Sequence, residues 1–211
     1  MKKIVFVDIS MKEEMDSVCY KGSGNTTCTY DKPVVYPVNA ILFDKLNKDD
    51  EVKAVLIQTK GDDARVQKNT QIFKDELNEI NKSIGAKIDY VEVSAEYKEG
   101  KENHEKRIMA LLSQMEEEAE LYGDITYGPR TVPMVMLCAF SFAEKYYDTD
   151  IKSIVYGKVE WKKNIQTGRN EPYNPELYDI TSLYYLNSIT YNMQTQSKDE
   201  ALKALKLFFS L

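Results

Sequence analysis

The segment best suited to chemistry runs from Asp124 to Pro133 and reads Asp-Ile-Thr-Tyr-Gly-Pro-Arg-Thr-Val-Pro. Gly128 permits a positive φ and lets a ligand approach the backbone, and Pro129 fixes the next turn. Arg130 is a permanent cation with a planar set of donors, and Thr131 can cap a helix that follows. The amides at such a helix start favour an anion. The segment therefore predicts a phosphate-binding turn, although a plain strand-to-helix turn with a surface arginine has about equal support.

Apolar runs and segments with helical spacing alternate along the chain, and this alternation decides which elements position the turn. Strands are predicted at 4–7, 52–58, 88–93 and 153–157, and helices at 38–46, 64–83, 103–121, 133–145, 180–192 and 198–211. Strands that alternate with helices form parallel sheets covered on both faces. The chain is therefore predicted to be an α/β protein with a Rossmann-like, doubly wound, mainly parallel sheet.

Three further segments receive specific predictions. The turn cluster at 22–27 lies between two short β-prone runs, so residues 19–36 are predicted to form a β-hairpin inserted after the first strand. The polar stretch at 162–175 carries glycine and two prolines and is predicted to be a mobile or ligand-facing loop. The acidic run at 116–120 is predicted to be a solvated helix face.

Composition excludes several classes of function. A net charge of −6 over 211 residues argues against a general DNA- or RNA-binding surface. His104, the single histidine, is predicted to be solvated, and its isolation rules out multi-histidine metal sites. Neither a Gly-x-Gly-x-x-Gly motif after the first strand nor a P-loop is present, so we predict no cofactor and no metal. With three cysteines, no signal peptide and no apolar run of membrane length, a cytoplasmic protein without a membrane partner is predicted.

A second loop is expected to share the site with the turn. Asp8, Ile9 and Ser10 follow the first strand directly. In open parallel sheets, ligands bind outside the carboxyl ends of the strands, at the point where the strand order reverses. Both loops satisfy this condition, and we therefore expect them to line one pocket.

Three segments together resemble one protein family. Asp124–Pro133 resembles the second ligand-binding motif of CARF domains, the cyclic oligoadenylate sensors of type III CRISPR systems. The segment 154–160 resembles their Tyr-Tyr-Gly-Ala-Glu-like strand, and 175–181 resembles the Asp-(apolar)-Thr start of a late helix. Two positions differ from the usual CARF motif. Tyr127 stands where a histidine is frequent, and Pro129 stands where a larger residue is usual.

The resemblance implies a homodimer that binds one ring, expected to be cyclic tetra-adenylate, on its two-fold axis. Most of the expected ligand-binding residues follow from the matched motifs, and Trp161 is added because it could stack on adenine. The full set is Ile9, Ser10, Met11, Thr126, Gly128, Pro129, Arg130, Thr131 and Trp161. Residues 1–192 would be the sensor domain, and 193–211 a C-terminal helix that connects to an absent effector domain.

Two alternatives remain open. Some CARF domains cleave the ring without a metal, by attack of a ribose 2′-OH on the adjacent phosphate, and Ser10, Arg130 and Lys158 would then be the catalytic residues. The other alternative is an unrelated Rossmann-like protein that binds an ordinary nucleotide.

Overall fold

The computed structural model describes residues 1–59, 62–94, 96, 98–194 and 197–208. The chain divides into two compact units, Met1–Thr181 and Ser182–Leu211. The predicted boundary lay at 192, so the second unit begins earlier than expected and includes most of the fifth helix. The assignment of the first unit to a family stays a prediction.

The described part of the first unit contains one seven-stranded sheet with the order β2-β7-β6-β5-β1-β3-β4. The strands are β1 (Lys2–Asp8), β2 (Lys21–Gly22), β3 (Glu51–Gln58), β4 (Lys87–Ser94), β5 (Glu120–Asp124), β6 (Asp150–Lys163) and β7 (Asn170–Asp179). The five strands from β6 to β4 are mutually parallel. Strand β7 is antiparallel to β6. The predicted Rossmann-like α/β fold is confirmed.

Four helices of this unit cover the two faces of the sheet. They are α1 (Pro37–Lys45), α2 (Ala64–Ile84), α3 (Lys101–Leu112) and α4 (Val132–Tyr146). Val5 and Val7 of β1 pack in one core with apolar residues of α1 and α2. On the opposite face, Phe6 packs edge-on against Phe140 of α4, with ring centroids 5.5 Å apart. Successive side chains of a strand point to opposite faces, so β1 separates two buried layers.

Local signals set the ends of α2. Asp63 precedes the helix, and its side chain accepts a hydrogen bond from the Arg65 amide at 2.9 Å. At the other end Gly85 adopts a φ of 82°, and its amide donates to the Asn81 carbonyl at 2.7 Å. Glycine takes this left-handed conformation without the steric cost that a Cβ brings. Gly85 therefore ends α2.

The long helix predicted at 103–121 is wrong beyond Leu112. The chain turns at Glu118, which has a positive φ of 59°, and enters β5 at Glu120. Glu120 pairs with Lys3 at 3.2 Å, and Glu116 forms ion pairs with two other lysines, Lys2 and Lys53. The acidic run is therefore not a solvated helix face. These three lysines lie more than sixty residues away, where a local pattern cannot reveal them.

The extended β-hairpin of the described sheet does not lie at 19–36, where a hairpin was predicted. The segment 19–36 is inserted after β1 as expected. An antiparallel bridge joins Val18 to Val34, and the Cys19 thiol donates to the Asp31 carbonyl at 3.4 Å, but the strand β2 of this segment pairs with β7. The extended hairpin is β6–β7, which occupies most of the polar stretch predicted as a loop. Gly168, with a φ of 70°, donates its amide to the Asn164 carbonyl and closes the hairpin turn.

The second unit contains helices α5 (Thr181–Asn192) and α6 (Lys198–Phe208). The Ser197 hydroxyl accepts a hydrogen bond from the Glu200 amide at 3.3 Å, which is the usual arrangement at a helix start. The predicted last helix extends to 211, and its final three residues lie outside the described residues. In the part of the chain that the structure describes, none of the helices combines the length and apolar character needed to span a membrane.

Candidate functional site

A cavity of about 750 Å³ opens at the carboxyl ends of β1, β5 and β6. Three stretches of chain line it, namely the loop after β1, the turn after β5 and the outer half of β6. The lining residues are Ser10, Met11, Lys12, Glu14, Met15, Asp16, Val18, Tyr20, Thr126, Tyr127, Gly128, Pro129, Tyr156, Gly157, Val159 and Trp161. The structure thus brings the two predicted loops together around one cavity.

The strand order explains why the cavity lies here. β3 and β4 extend the sheet on one side of β1, whereas β5 and β6 extend it on the other. Val7 of β1 pairs with Asp124 of β5, so the loops that follow these strands leave the sheet side by side. Their connections run over opposite faces, which opens a crevice between the loops.

Not all predicted site residues reach the cavity. Six line it, namely Ser10, Met11, Thr126, Gly128, Pro129 and Trp161. Ile9 is fully buried in the hydrophobic core, so it supports the loop without access to a ligand. Arg130 is exposed just beyond Pro129 and has no hydrogen bond or ion pair among the described residues. Thr131 does not line the cavity, because its hydroxyl bonds to Glu99.

Lys158, predicted to be catalytic, is also absent from the cavity lining. Its ammonium pairs with Glu160 at 3.0 Å and with Glu176 at 3.2 Å. Val159 and Trp161 line the cavity, whereas Lys158 lies between the two lining positions 157 and 159. The Lys158 ammonium is therefore engaged by two glutamates and does not contribute to the cavity lining. The resemblance located this strand but not the orientation of its side chains.

The apolar part of the cavity lining was not predicted from the sequence. Met15, Val18 and Tyr20 come from the segment inserted after β1, and Val159 comes from β6. Gly157 is needed beside them, because a Cβ there would lie 2.6 Å from Pro37 Cγ. Its amide donates to the Thr126 hydroxyl at 2.9 Å, which ties β6 to the turn after β5. The sequence signal that could have predicted these lining residues is the pair Met15 and Val18, two apolar residues that follow the Ser10 loop.

Two tyrosines, the buried Tyr36 and the partly buried Tyr127, hold the two loops in place. The Tyr127 hydroxyl donates to the Val35 carbonyl at 3.0 Å, and its ring packs edge-on against Tyr36 with centroids 5.4 Å apart. The Tyr36 hydroxyl accepts from the Ser10 amide at 3.4 Å. Burial raises the pKa of Tyr20, Tyr36 and Tyr127 well above the usual value, so all three stay neutral. Tyr127 therefore directs its hydroxyl into the fold.

The carboxyl group of Asp124 holds the start of the turn after β5 by hydrogen bonds to backbone amides. It is buried, and its Oδ1 accepts from the Thr126 amide at 2.9 Å while Oδ2 accepts from the Val38 amide at 3.1 Å. One carboxyl group thus orders both the start of the candidate turn and the first turn of α1. Burial raises the pKa of Asp124, and the hydrogen bonds from Thr126 and Val38 oppose that rise.

Asp8 lies directly under Gly128. Gly128 has a φ of 85°, and a Cβ at this position would lie 1.8 Å from Asp8 Oδ2. The positive φ expected here is confirmed, but the group in close approach is a carboxyl of the same chain. Asp8 is 1% exposed, and neither carboxyl oxygen has a hydrogen-bond partner in the described structure. Burial raises the pKa of Asp8 well above its usual value, and the Arg107 guanidinium only partly opposes this.

The buried Asp8 should make stability fall as pH rises. Because its pKa is raised in the folded state, the folded protein binds this proton more tightly than the unfolded chain does. Stability is therefore lost above the ordinary aspartate pKa of about 3.9. We expect Asp8→Asn to match the parent near that pH and to be about 1–3 kcal/mol more stable at about pH 8. Urea unfolding at both pH values measures this, and a parent more stable than the variant at the higher pH would contradict it.

Glu99 connects α3 to the start of α4. Its carboxylate accepts from the Thr131 hydroxyl and lies 3.3 Å from Arg107 Nη1 and 3.8 Å from His104 Nε2. Thr131 occupies the N-cap position of α4 as predicted, but its hydroxyl makes no capping hydrogen bond. His104 was predicted to be solvated, whereas its side chain is only 32% exposed and faces Glu99. The contact between Thr131 and Glu99 joins segments 32 residues apart, which no local pattern connects.

These observations define a Rossmann-like α/β protein with a ligand-sized cavity at the reversal of strand order. No protein-family model matches the chain, and no curated protein has significant similarity to it. Among the described residues, no three histidine, cysteine, aspartate or glutamate side chains are grouped as metal ligands.

Proposed function

We propose that this protein binds a cyclic oligoadenylate, expected to be cyclic tetra-adenylate, in the cavity at the carboxyl edge of its sheet. It would act as a homodimeric cytoplasmic sensor in type III CRISPR antiviral signalling. The observation that carries the proposal is the meeting of the Ser10 loop and the Thr126–Pro129 turn around one cavity of about 750 Å³. Pockets of 300–1,000 Å³ are typical of small-molecule sites.

One side of the cavity suits phosphate. Gly128 and Pro129 line it, and Arg130 follows them with an exposed guanidinium that has no partner among the described residues. Lys12 adds a second cation to the lining, and its ammonium lies 5.8 Å from the centre of the Tyr127 ring. An arginine with unused donors close to exposed backbone is a suitable partner for phosphoryl oxygens.

The apolar part of the lining suits nucleobases. Met11, Met15, Val18 and Val159 line the cavity, and so does Trp161 from the outer half of β6. Trp161 is 48% exposed, which leaves part of its surface accessible to a ligand. Stacking of a base on an aromatic side chain is worth about 1–3 kcal/mol. A lining that offers both a cation and apolar side chains favours a nucleotide over a simple anion.

The homodimer is part of the same proposal. Helix α4 starts directly after the candidate turn, and three large apolar side chains on it are exposed, namely Met134, Phe142 and Tyr146. A second copy that packs on this helix would bring two cavities to one two-fold axis and bury apolar surface. Light scattering after size-exclusion chromatography tests this, and a monomer at micromolar concentration without ligand and with ligand would contradict it.

Cleavage of the ring is the second candidate function, and Ser10 is the observation that favours it. Ser10 lines the cavity, and its hydroxyl accepts from the Lys12 amide at 3.2 Å, which orients it. Lys158 is engaged by two glutamates, so Ser10 and Arg130 would have to align the 2′-OH attack. Chromatography of the ligand after single-turnover incubation separates binding from cleavage, because only cleavage yields a linear product.

A thermal-shift screen tests the proposed ligand directly. We expect cyclic tetra-adenylate to raise the unfolding temperature, because a ligand that binds only the folded state stabilises it by mass action. Cyclic tri- and hexa-adenylate test ring size, and ATP and NAD test the alternative of an ordinary nucleotide. A protein that responds to ATP or NAD and to no cyclic oligoadenylate would overturn the proposal.

Arg130→Ala is expected to weaken binding of cyclic tetra-adenylate by about 1.5–3 kcal/mol, the range for a hydrogen bond to a charged group. Isothermal titration calorimetry measures the change. Arg169→Ala is the matched control, because Arg169 is also an exposed arginine in a turn but lies at the tip of the β6–β7 hairpin. Equal affinities of the two variants would remove Arg130 from the site.

A further inference from the structure

The donors around Glu99 form a site for an oxyanion. The Thr131 hydroxyl donates to one carboxylate oxygen, and Arg107 Nη1 lies 3.4 Å and 3.3 Å from the two oxygens. His104 Nε2 lies 3.8 Å from the same group. These donors come from α3 and from the start of α4, and they converge on a single anionic group. Converging donors at a helix N-terminus bind carboxylate and phosphate by the same interactions.

Arg107 makes this site more than a helix end. It is only 5% exposed, and its Nη2 donates to the Lys98 carbonyl at 3.3 Å and to the Glu96 carbonyl. The guanidinium is therefore held in place by backbone while Nη1 points at Glu99. Its Nε has no hydrogen-bond partner in the described structure. A buried guanidinium with an unused N–H donor indicates that the described residues do not supply all the acceptors that Arg107 can bind.

Glu99 is a weakly enclosed occupant of this site. Its side chain is 42% exposed, whereas that of Arg107 is 4% exposed. The hydrogen bond from Thr131 and the Arg107 guanidinium lower the pKa of Glu99, so it is present as an anion. A carboxylate that reaches a fixed, buried arginine from the solvent side can leave without unfolding the elements that hold the donors.

A second carboxyl group near this site is that of the buried Asp8. It contributes to the electrostatics of the same cluster together with Arg107 and Glu99, and both of its oxygens lack partners among the described residues. Asp8 contacts Gly128, which lines the cavity, whereas Thr131 bonds to Glu99. The four-residue turn 128–131 thus has the cavity at one end and the Glu99 contact at the other.

We propose that Thr131, Arg107 and His104 form an oxyanion site that Glu99 fills as an internal plug, and that a phosphate group displaces Glu99 from it. The site needs only phosphate chemistry. Its use by a phosphate of a cyclic oligoadenylate rests on the proposed function. Displacement of Glu99 would release residues 98–100 from the start of α4. Because these residues directly precede α3, ligand binding would then change the surroundings of α3.

Glu99→Gln tests the plug with inorganic phosphate as the probe. The variant removes the charge and weakens the plug, so we expect phosphate to bind about tenfold more tightly, equivalent to about 1.4 kcal/mol. Glu102→Gln is the matched control. Glu102 is an exposed glutamate of α3, and its replacement removes the same net charge from the protein. Chemical-shift titration by NMR measures affinity and locates the perturbed amides, and Glu99→Ala repeats the test with the side chain removed.

The outcomes separate this proposal from the proposed function. Tighter phosphate binding by both Glu99 variants but not by Glu102→Gln, lost again when Thr131→Val is added, supports the plug. Unchanged phosphate affinity, or an equal gain in Glu102→Gln, overturns it. Titration of the same proteins with cyclic tetra-adenylate tests the proposed function independently. The Glu99 variants can gain phosphate affinity even if the protein does not bind cyclic tetra-adenylate, and the protein can bind cyclic tetra-adenylate even if Glu99 is not a plug.

Discussion

Replacing Gly128 by alanine should lower the free energy of unfolding by about 3–5 kcal/mol. Two costs add at this position. The φ of 85° is a left-handed conformation that disfavours a Cβ, and that Cβ would lie 1.8 Å from Asp8 Oδ2 and 2.1 Å from its Cγ. Asp8 is buried and cannot move into solvent. Urea unfolding measures the loss, and ligand binding should be lost with the turn's conformation.

Two further variants separate the costs at Gly128. Gly168→Ala has a similar φ of 70° with open space around the new Cβ, so it should cost only about 1–2 kcal/mol. Adding Asp8→Ala to Gly128→Ala should recover part of the loss, because it removes the atoms in conflict. Equal costs for Gly128→Ala and Gly168→Ala would contradict the close contact with Asp8.

Asp124→Ala should lower the free energy of unfolding by about 2–5 kcal/mol, because it leaves two buried amides without an acceptor. These are the amides of Val38 in α1 and Thr126 in the candidate turn. The loss should appear in urea unfolding and should be accompanied by faster hydrogen exchange at both amides.

Asp89→Ala provides the control for Asp124→Ala. Asp89 is an exposed aspartate of β4, and removal of its side chain should change stability by less than about 0.5 kcal/mol. A small effect of Asp124→Ala, close to that of the control, would mean that neither amide depends on this carboxyl group.

Features determined by neighbouring residues could be predicted from the sequence. The apolar runs located four parallel strands, helical spacing located α1, α2 and α4, and the glycine at 85 marked the end of α2. The positive φ of Gly128 and its position beside the Ser10 loop also followed, because the alternation of strands and helices fixes where the strand order reverses.

Features determined by distant residues could not be predicted. The end of α3 depends on lysines from other strands that pair with Glu116 and Glu120. The placement of Lys158 depends on its ion pair with Glu176 of the neighbouring strand β7, which lies eighteen residues further along the chain. The unpartnered carboxyl of Asp8 and the contact between Glu99 and Thr131 arise only when three separate segments meet.

The β6–β7 hairpin has a consequence for how this protein could diversify. From Glu160 to Lys163, β6 pairs with β7, whereas its pairing with β5 ends at Val155. Trp161 lies in this outer half and lines the cavity. Insertions, deletions or exchanges at the hairpin tip would therefore reshape one wall of the cavity without breaking a parallel ladder. Evolution or protein engineering could alter ligand preference there while the parallel part of the sheet stays intact.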